Sequence, residues 1–171
     1  YNGTHMVTNS DTINLYYDLG VKGAYLSNEI TKDEVLKIRS KTKSDLFILL
    51  LGNPVVAMSR RSLLTSYFAN KNKSKSDLIT IKEPKSGQEF LVKEDINGTT
   101  FFYNKRLNLS NVYKELVDNN INYGIIEQGE FSSDEYKELI KAFVNFNKEK
   151  IDELAGHNRG FLYRETIYKV K

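Results

Sequence analysis

Arg60 and Arg61, flanked by Ser59 and Ser62, close a long apolar stretch. Forked guanidinium donors in such a place clamp a carboxylate or a phosphate, a task lysine performs less well. Adjacent arginines point different ways, so one of the pair is expected to bind a ligand and the other a local carboxylate. Ser59 would act as a nucleophile only with a base in hydrogen-bond reach and an oxyanion hole. The two histidines, His5 and His157, fall near the chain ends rather than at the end of a core strand, which disfavours a serine-histidine triad. Ser59 is instead expected to hydrogen-bond its own turn or to cap the following helix.

A second group consists of Asn9, Ser10, Asn28 and Glu127, each where a predicted parallel strand ends. Barrel folds build their sites on that face, and position is the argument for all four. Glu127 would serve as a general acid or base if buried; a strand-end carboxylate more often caps neighbouring backbone. A third group, Lys71, Lys73 and Lys75 in the polar stretch 69–77, has the spacing to follow a nucleic-acid backbone through sequence-independent phosphate contacts, although lysine loops are commonly just solvated.

The elements that position these groups are organised around residues 45–68. An unbroken apolar run, a Gly52-Asn53-Pro54 break, a second run at 55–58 and the arginine cluster follow in order. Apolar residues without alternation predict a strand covered on both faces, as in a parallel sheet. Before it stand two βα units. One has a short strand at 6–9 and a helix capped by Ser10 or Asp11 that ends at Gly20; the other has a strand at 21–26 and a helix opened by a Thr31/Glu34 capping box. Residues 62–68 suit a short amphipathic helix.

From Leu78 the period changes to two, with turns at 84–87 and at Asn97-Gly98, so 78–103 reads as a three-stranded antiparallel excursion. Phe101, Phe102 and Tyr103 there alternate like strand core residues. A helix at 109–119, a strand at 123–127 and a helix capped by Ser132 or Ser133 and carrying Tyr136, Leu139, Ile140, Phe143 and Phe146 complete the pattern. The expected organisation is 1–77 as βα units, 78–108 as the β insertion, 109–150 as the last βα unit and 151–171 as a C-terminal arm. The fold class is α/β, half of a TIM-like barrel. Half a barrel leaves strand edges unpaired, which implies further units before Tyr1 or association of two copies.

Composition narrows the chemistry. A chain of 171 residues, 40% hydrophobic and 27% charged, is ordinary for a globular domain with one core, and a net charge of +3 permits phosphate contact without demanding it. Cysteine is absent, which removes disulfides, thiol nucleophiles and thiolate-held metal or iron-sulfur sites from this chain. The apolar run 46–51 is too short to cross a bilayer, and no secretory leader is visible, so a cytoplasmic location is expected.

Residues 51–68 resemble the marker segment of the collagenase-like peptidase family U32: a Gly, a cysteine, then Ser-x-x-Cys-Leu-(Leu or Met)-(Ser or Thr). Gly52, Ser59, Leu63, Leu64 and Thr65 match, while Val55 and Ser62 stand at the two cysteine positions. The order of later features is similar too: the insertion, residues 103–109 (YNKRLNL), Ile126-Glu127 with Gly129, and Asn158-Arg159-Gly160-Phe161. The resemblance implies a barrel-like catalytic part. It also implies either a peptidase or an oxygen-independent hydroxylase acting on transfer RNA wobble uridine, ribosomal RNA or ubiquinone precursors through a four-cysteine iron-sulfur cluster. A further cysteine-bearing segment of the family is replaced here by the lysine-serine stretch 71–76, so no cofactor is expected to be bound by this chain itself. The leading expectation is a role in transfer RNA wobble-uridine hydroxylation, binding transfer RNA or a carboxylate cofactor, with a cysteine-containing paralogue as heteromeric partner supplying the cluster. The alternatives are a collagenase-like peptidase using Glu127 and a non-catalytic RNA-binding or scaffolding subunit.

Overall fold

The computed structural model describes residues 7–71, 76, 78–160 and 162–163. In chain order these form α1 (Ser10–Asp18), β1 (Gly23–Tyr25), α2 (Lys32–Lys41), β2 (Asp45–Gly52), β3 (Val55–Ser59), α3 (Leu63–Asn70) and β4 (Leu78–Lys82). Then follow β5 (Glu89–Asp95), β6 (Gly98–Tyr103), β7 (Leu107–Asn108), α4 (Tyr113–Asp118), β8 (Tyr123–Ile126), α5 (Ser133–Val144) and α6 (Lys148–Ala155). The fold is mixed α/β, with a parallel sheet and an antiparallel sheet, and the chain divides into two units: Tyr1–Gly52 with Leu107–Lys171, and Asn53–Arg106.

In the first unit β2 is central. Leu46, Ile48, Leu49, Leu50 and Leu51 are all buried, as an apolar run without alternation requires, and each such side chain contributes roughly 1.5–3 kcal/mol by leaving water. β1 and β8 both pair with β2 in parallel, and the two-residue β7 pairs antiparallel with Leu51 and Gly52. Phe47 and Tyr123, directly opposite in β2 and β8, stack with ring centroids 4.4 Å apart. Helical residues Ile13, Val35, Ile38, Leu116, Leu139, Phe143 and Ile151 join the β2 leucines in one core.

The helix starts obey local chemistry. Thr31 with Glu34 and Ser132 with Glu135 form complete capping boxes, and α1 is capped by Asn9, whose side chain accepts the Thr12 N–H, in place of the expected Ser10 or Asp11. Of the strand expected at 6–9, residues 7–9 form no strand, since Asn9 already caps α1, and residue 6 lies outside the described residues. The Val7 carbonyl accepts the Ser27 N–H at 3.0 Å. The helix expected from Leu109 begins only at Tyr113, because the Leu109 N–H is held by the Leu50 carbonyl at 2.8 Å and the chain is still leaving the sheet. α5 ends at Val144, since Phe146 takes a φ of 52°, and Asn147 then caps α6, which straddles the boundary expected at 150–151 between the last βα unit and the arm. Of the C-terminal arm expected at 151–171, the first residues belong to α6, and residues 161 and 164–171 lie outside the described residues.

The second unit is an antiparallel sheet in the order β3-β6-β5-β4 with α3. Its β-hairpin periodicity was legible from Leu78, but the unit starts at Asn53. β3 hydrogen-bonds β6, with Ser59 opposite Thr99, rather than prolonging the parallel strand before it. Gly98, at φ +121°, makes that approach possible: a Cβ there would lie 2.1 Å from the Ser59 carbonyl oxygen.

Candidate functional site

In the first unit the carboxyl ends of β1, β2 and β8 meet at Tyr25, Gly52 and Glu127. The Glu127 N–H continues the β8 pairing by donating to the Leu51 carbonyl at 2.8 Å. Its side chain lies over the last residue of β2, so closely that a Cβ on Gly52 would stand 2.2 Å from Glu127 Oε2 and 2.6 Å from Cδ. The carboxylate is thus laid across bare backbone while remaining exposed to solvent, so the burial expected of a general acid or base is not found and its position rather than its burial singles it out. Tyr25, half-buried at the end of β1, has its phenol pKa pushed up to about 12, first by burial and second by the Glu127 charge. The phenol therefore keeps its proton and can donate a hydrogen bond beside a group that can accept one.

The same unit holds a small hollow whose lining includes Ser27, Asn28, Ile48, Leu107, Leu109 and Arg159 but neither Tyr25 nor Glu127. It is apolar at its base and polar at its margin. The Asn28 Oδ1 atom is buried there without a hydrogen-bond partner among the described residues, and Arg159 is exposed. A single donor of about water's size would satisfy Asn28, and Arg159 lies over the Tyr163 ring, 5.7 Å from its centroid.

The margin is fixed by residues the sequence reading did not single out. Asn108 donates from Nδ2 to Asp152 Oδ1 (3.0 Å) and to the Gly156 carbonyl (2.6 Å), and its N–H reaches the Asn158 carbonyl at 2.7 Å. Ser110 Oγ and Lys148 Nζ also donate to Asp152, with His157 Nδ1 at 3.2 Å. Burial pushes the Asp152 pKa up, but the bonds from Lys148 and Ser110 and the charge of His157 outweigh it and hold the carboxyl below its usual range. The legible signal was that Asn108 and Asn158 both stand in segments quoted above for their resemblance. The partner carboxylate forty-four residues beyond Asn108 has no local signature.

The remaining candidates divide plainly. Asn9 Oδ1 accepts the Thr12 N–H at 2.9 Å and Ser10 is buried in the first turn of α1, so both are engaged in the helix start. The Val7 to Ser27 bond keeps that start beside the end of β1. Ser59, Arg60 and Arg61 belong to the second unit, at the exit of an antiparallel strand. Ser59 Oγ accepts the Arg61 N–H at 3.1 Å, a turn bond, and both arginines are exposed. Lys71 is exposed just beyond α3; Lys73, Lys75, His5 and Phe161 lie outside the described residues.

Behind the arginines, buried Glu94 accepts the Leu64 N–H at 2.7 Å, bonds the Thr65 hydroxyl and accepts the Thr99 hydroxyl at 3.1 Å. Those bonds, that of Thr65 first, hold its pKa down to about 2 against the opposing effect of burial. Val55, half-buried in β3, and exposed Ser62 carry an isopropyl group and a hard hydroxyl oxygen. Neither suits a soft, thiolate-held iron-sulfur cluster, and the chain has no cysteine.

A family model described as Peptidase family U32 matches residues 1–170. The chain is also similar to the tRNA hydroxylation protein P2 of Bacillus subtilis (strain 168), at 23% identity over 189 aligned residues, covering 94% of this chain and 61% of that protein. It therefore spans about three fifths of the relative's length. No solved structure matches the chain. No helix among the described residues is long and apolar enough to cross a membrane.

Proposed function

The chain belongs to peptidase family U32, and on that premise we propose that it acts in the hydroxylation of transfer RNA at a wobble uridine. The observation that carries the reading is the junction of Tyr25, Gly52 and Glu127 at the carboxyl ends of parallel strands, in a chain similar to a protein named for tRNA hydroxylation. That is the face on which barrel enzymes assemble their sites, and the parallel sheet is read here as part of a TIM-like barrel. Glu127 accepts a hydrogen bond or a proton from the bound substrate and Tyr25 donates one. A cysteine-containing paralogue in the cytoplasm supplies the redox cluster that this chain's side chains do not suit.

The test is deletion of the gene followed by rescue, with nucleosides of digested transfer RNA measured by mass spectrometry. The wild-type gene restores the hydroxylated uridine, and Glu127→Gln restores at most about a tenth of it, the scale of a lost acid-base group. An unchanged level on deletion overturns the reading. Gelatin cleavage by the purified full-length protein, abolished in Glu127→Gln, would favour the family's peptidase chemistry instead.

A further inference from the structure

We propose that the Asn53–Arg106 unit is a docking surface for the phosphate backbone of folded RNA, engaged by Arg60, Arg61, Lys82, Lys85 and Lys93. The proposal deepens the function above and rests on it for the choice of transfer RNA as the first RNA to test.

Charge is the first ground. Residues 53–106 hold ten of the chain's lysines and arginines against five acidic residues, an excess of five in a chain whose net charge is +3. The remaining sequence is thus net negative, and the positive field belongs to one unit. Asymmetry of this kind marks polyanion contact far better than the modest total.

Pairing is the second. In the first unit four lysines pair with neighbouring carboxylates, Lys32 with Glu115, Lys137 with Asp134, Lys148 with Asp152 and Lys150 with Glu153, while Lys22, Lys37, Lys41, Lys43, Lys114 and Lys141 are exposed without an ion pair among the described residues. In the second unit Arg60, Arg61, Lys71, Lys82, Lys85 and Lys93 are all exposed, and none has an ion pair among the described residues. Its acidic groups are turned to local use. Glu94 faces the first N–H groups of α3, Glu83 accepts the Lys85 and Ser86 N–H groups, Asp95 accepts the Asn97 N–H, and Glu89 accepts from Asn104. The cations are left facing water.

Placement is the third. Lys93 stands opposite Leu78 and Thr100, with Met58 next in the row, while neighbouring Glu94 and Thr99 hold α3. Successive strand residues face opposite ways, so Lys93 and its row lie on the face away from α3, and Lys82 shares that face. Four residues of strand separate Lys82 from Leu78, so the two lysines span roughly 13 Å along the sheet. Two cations set apart on one pleated face, with Arg60, Arg61 and Lys85 exposed in the adjoining turns, suit a ribose-phosphate chain, whereas surface binding to lipid ordinarily uses one amphipathic helix with its basic residues along one side.

The experiment measures affinity of the full-length protein for transcribed transfer RNA and for an unrelated RNA duplex between about 50 and 200 mM salt. Arg60→Gln with Arg61→Gln, and separately Lys82→Gln with Lys85→Gln and Lys93→Gln, are expected to weaken both RNAs about tenfold or more. The salt slope should fall by about one for each cation removed. Lys137→Gln with Lys150→Gln, in the first unit, leaves affinity and slope unchanged. Thermal midpoints equal to wild type show that the variants are folded. Wild-type affinity in both charge variants, no RNA binding by the wild-type protein, or preferential binding to phosphatidylserine vesicles lost in the same variants would overturn the proposal. Loss of RNA binding in the variants together with unchanged transfer RNA hydroxylation on gene deletion sustains the docking surface and removes only the function it was tested under.

Discussion

The Glu127 carboxylate occupies the space that a side chain on Gly52 would need, with Oε2 2.2 Å from where a Cβ would stand. This gives the glycine a job separable from stability. The obstructing atoms are the far end of a flexible, solvent-exposed side chain, so Gly52→Ala displaces the carboxylate rather than the strand. Thermal unfolding should show a change within about 1 kcal/mol. A shift of the carboxylate by about 1 Å is enough to lower a rate on the order of a hundredfold, so rescue of transfer RNA hydroxylation should fail in Gly52→Ala nearly as it does in Glu127→Gln. Full rescue by Gly52→Ala would show that the placement of Glu127 is incidental.

Glu94 ties the start of α3 to the antiparallel sheet, and its depressed pKa fixes the sign of an acid effect. A carboxyl held near 2 when folded and near 4.5 when unfolded contributes stability that is present above 4.5 and is lost as pH falls from there towards 2. Glu94→Gln should lower the unfolding midpoint of the protein at pH 7 and flatten the fall between pH 5 and 2, measured by circular dichroism. An acid limb as steep in the variant as in the wild type would mean that other carboxylates govern it.

What the sequence made legible follows from how local each cause is. The buried β2 run, the Thr31 and Ser132 capping boxes, the Gly20 exit at φ +93° and the hairpin turn at Asn97-Gly98 are written in neighbouring residues, and all appear in the structure. The turn bond from the Arg61 N–H to Ser59 Oγ was likewise a matter of two residues. Non-local causes were not legible. Nothing near Val55 announces that it pairs with Phe102 instead of extending β2, and nothing near Asn108 announces Asp152. The short α6 was hidden by the apolar spacing of Phe143 and Phe146, although Asn147 followed by Lys-Glu-Lys-Ile was a usable start signal.

Gly124 and Gly20 provide a contrast between packing and backbone conformation. A Cβ on Gly124 would stand 2.2 Å from Cδ1 of Leu50, a fully buried core residue with little room to move, so Gly124→Ala is an overpacking change expected to cost roughly 1–3 kcal/mol. At Gly20 nothing lies within 4 Å, and the cost of alanine comes only from its positive φ, about 1 kcal/mol. Urea unfolding of the two variants side by side checks the order. Equal losses would mean that Leu50 repacks freely beside the register shift between Leu49 and Leu51.

Tyr25 predicts the opposite limb of the pH profile. Its phenol is raised from 10 to about 12 in the folded protein, so the unfolded chain gives up that proton first as pH rises. Its contribution is therefore complete below pH 10 and disappears between 10 and 12. Tyr25→Phe should make the alkaline loss of stability shallower, and difference absorbance near the tyrosinate band should show one late-titrating phenol missing from the variant. Glu127→Gln tests the division of causes. With burial the larger effect, the late phenol should move only part of the way back towards 10. A complete return would make the Glu127 charge the dominant influence, and no movement at all would place Glu127 too far from Tyr25 for the two to share a substrate.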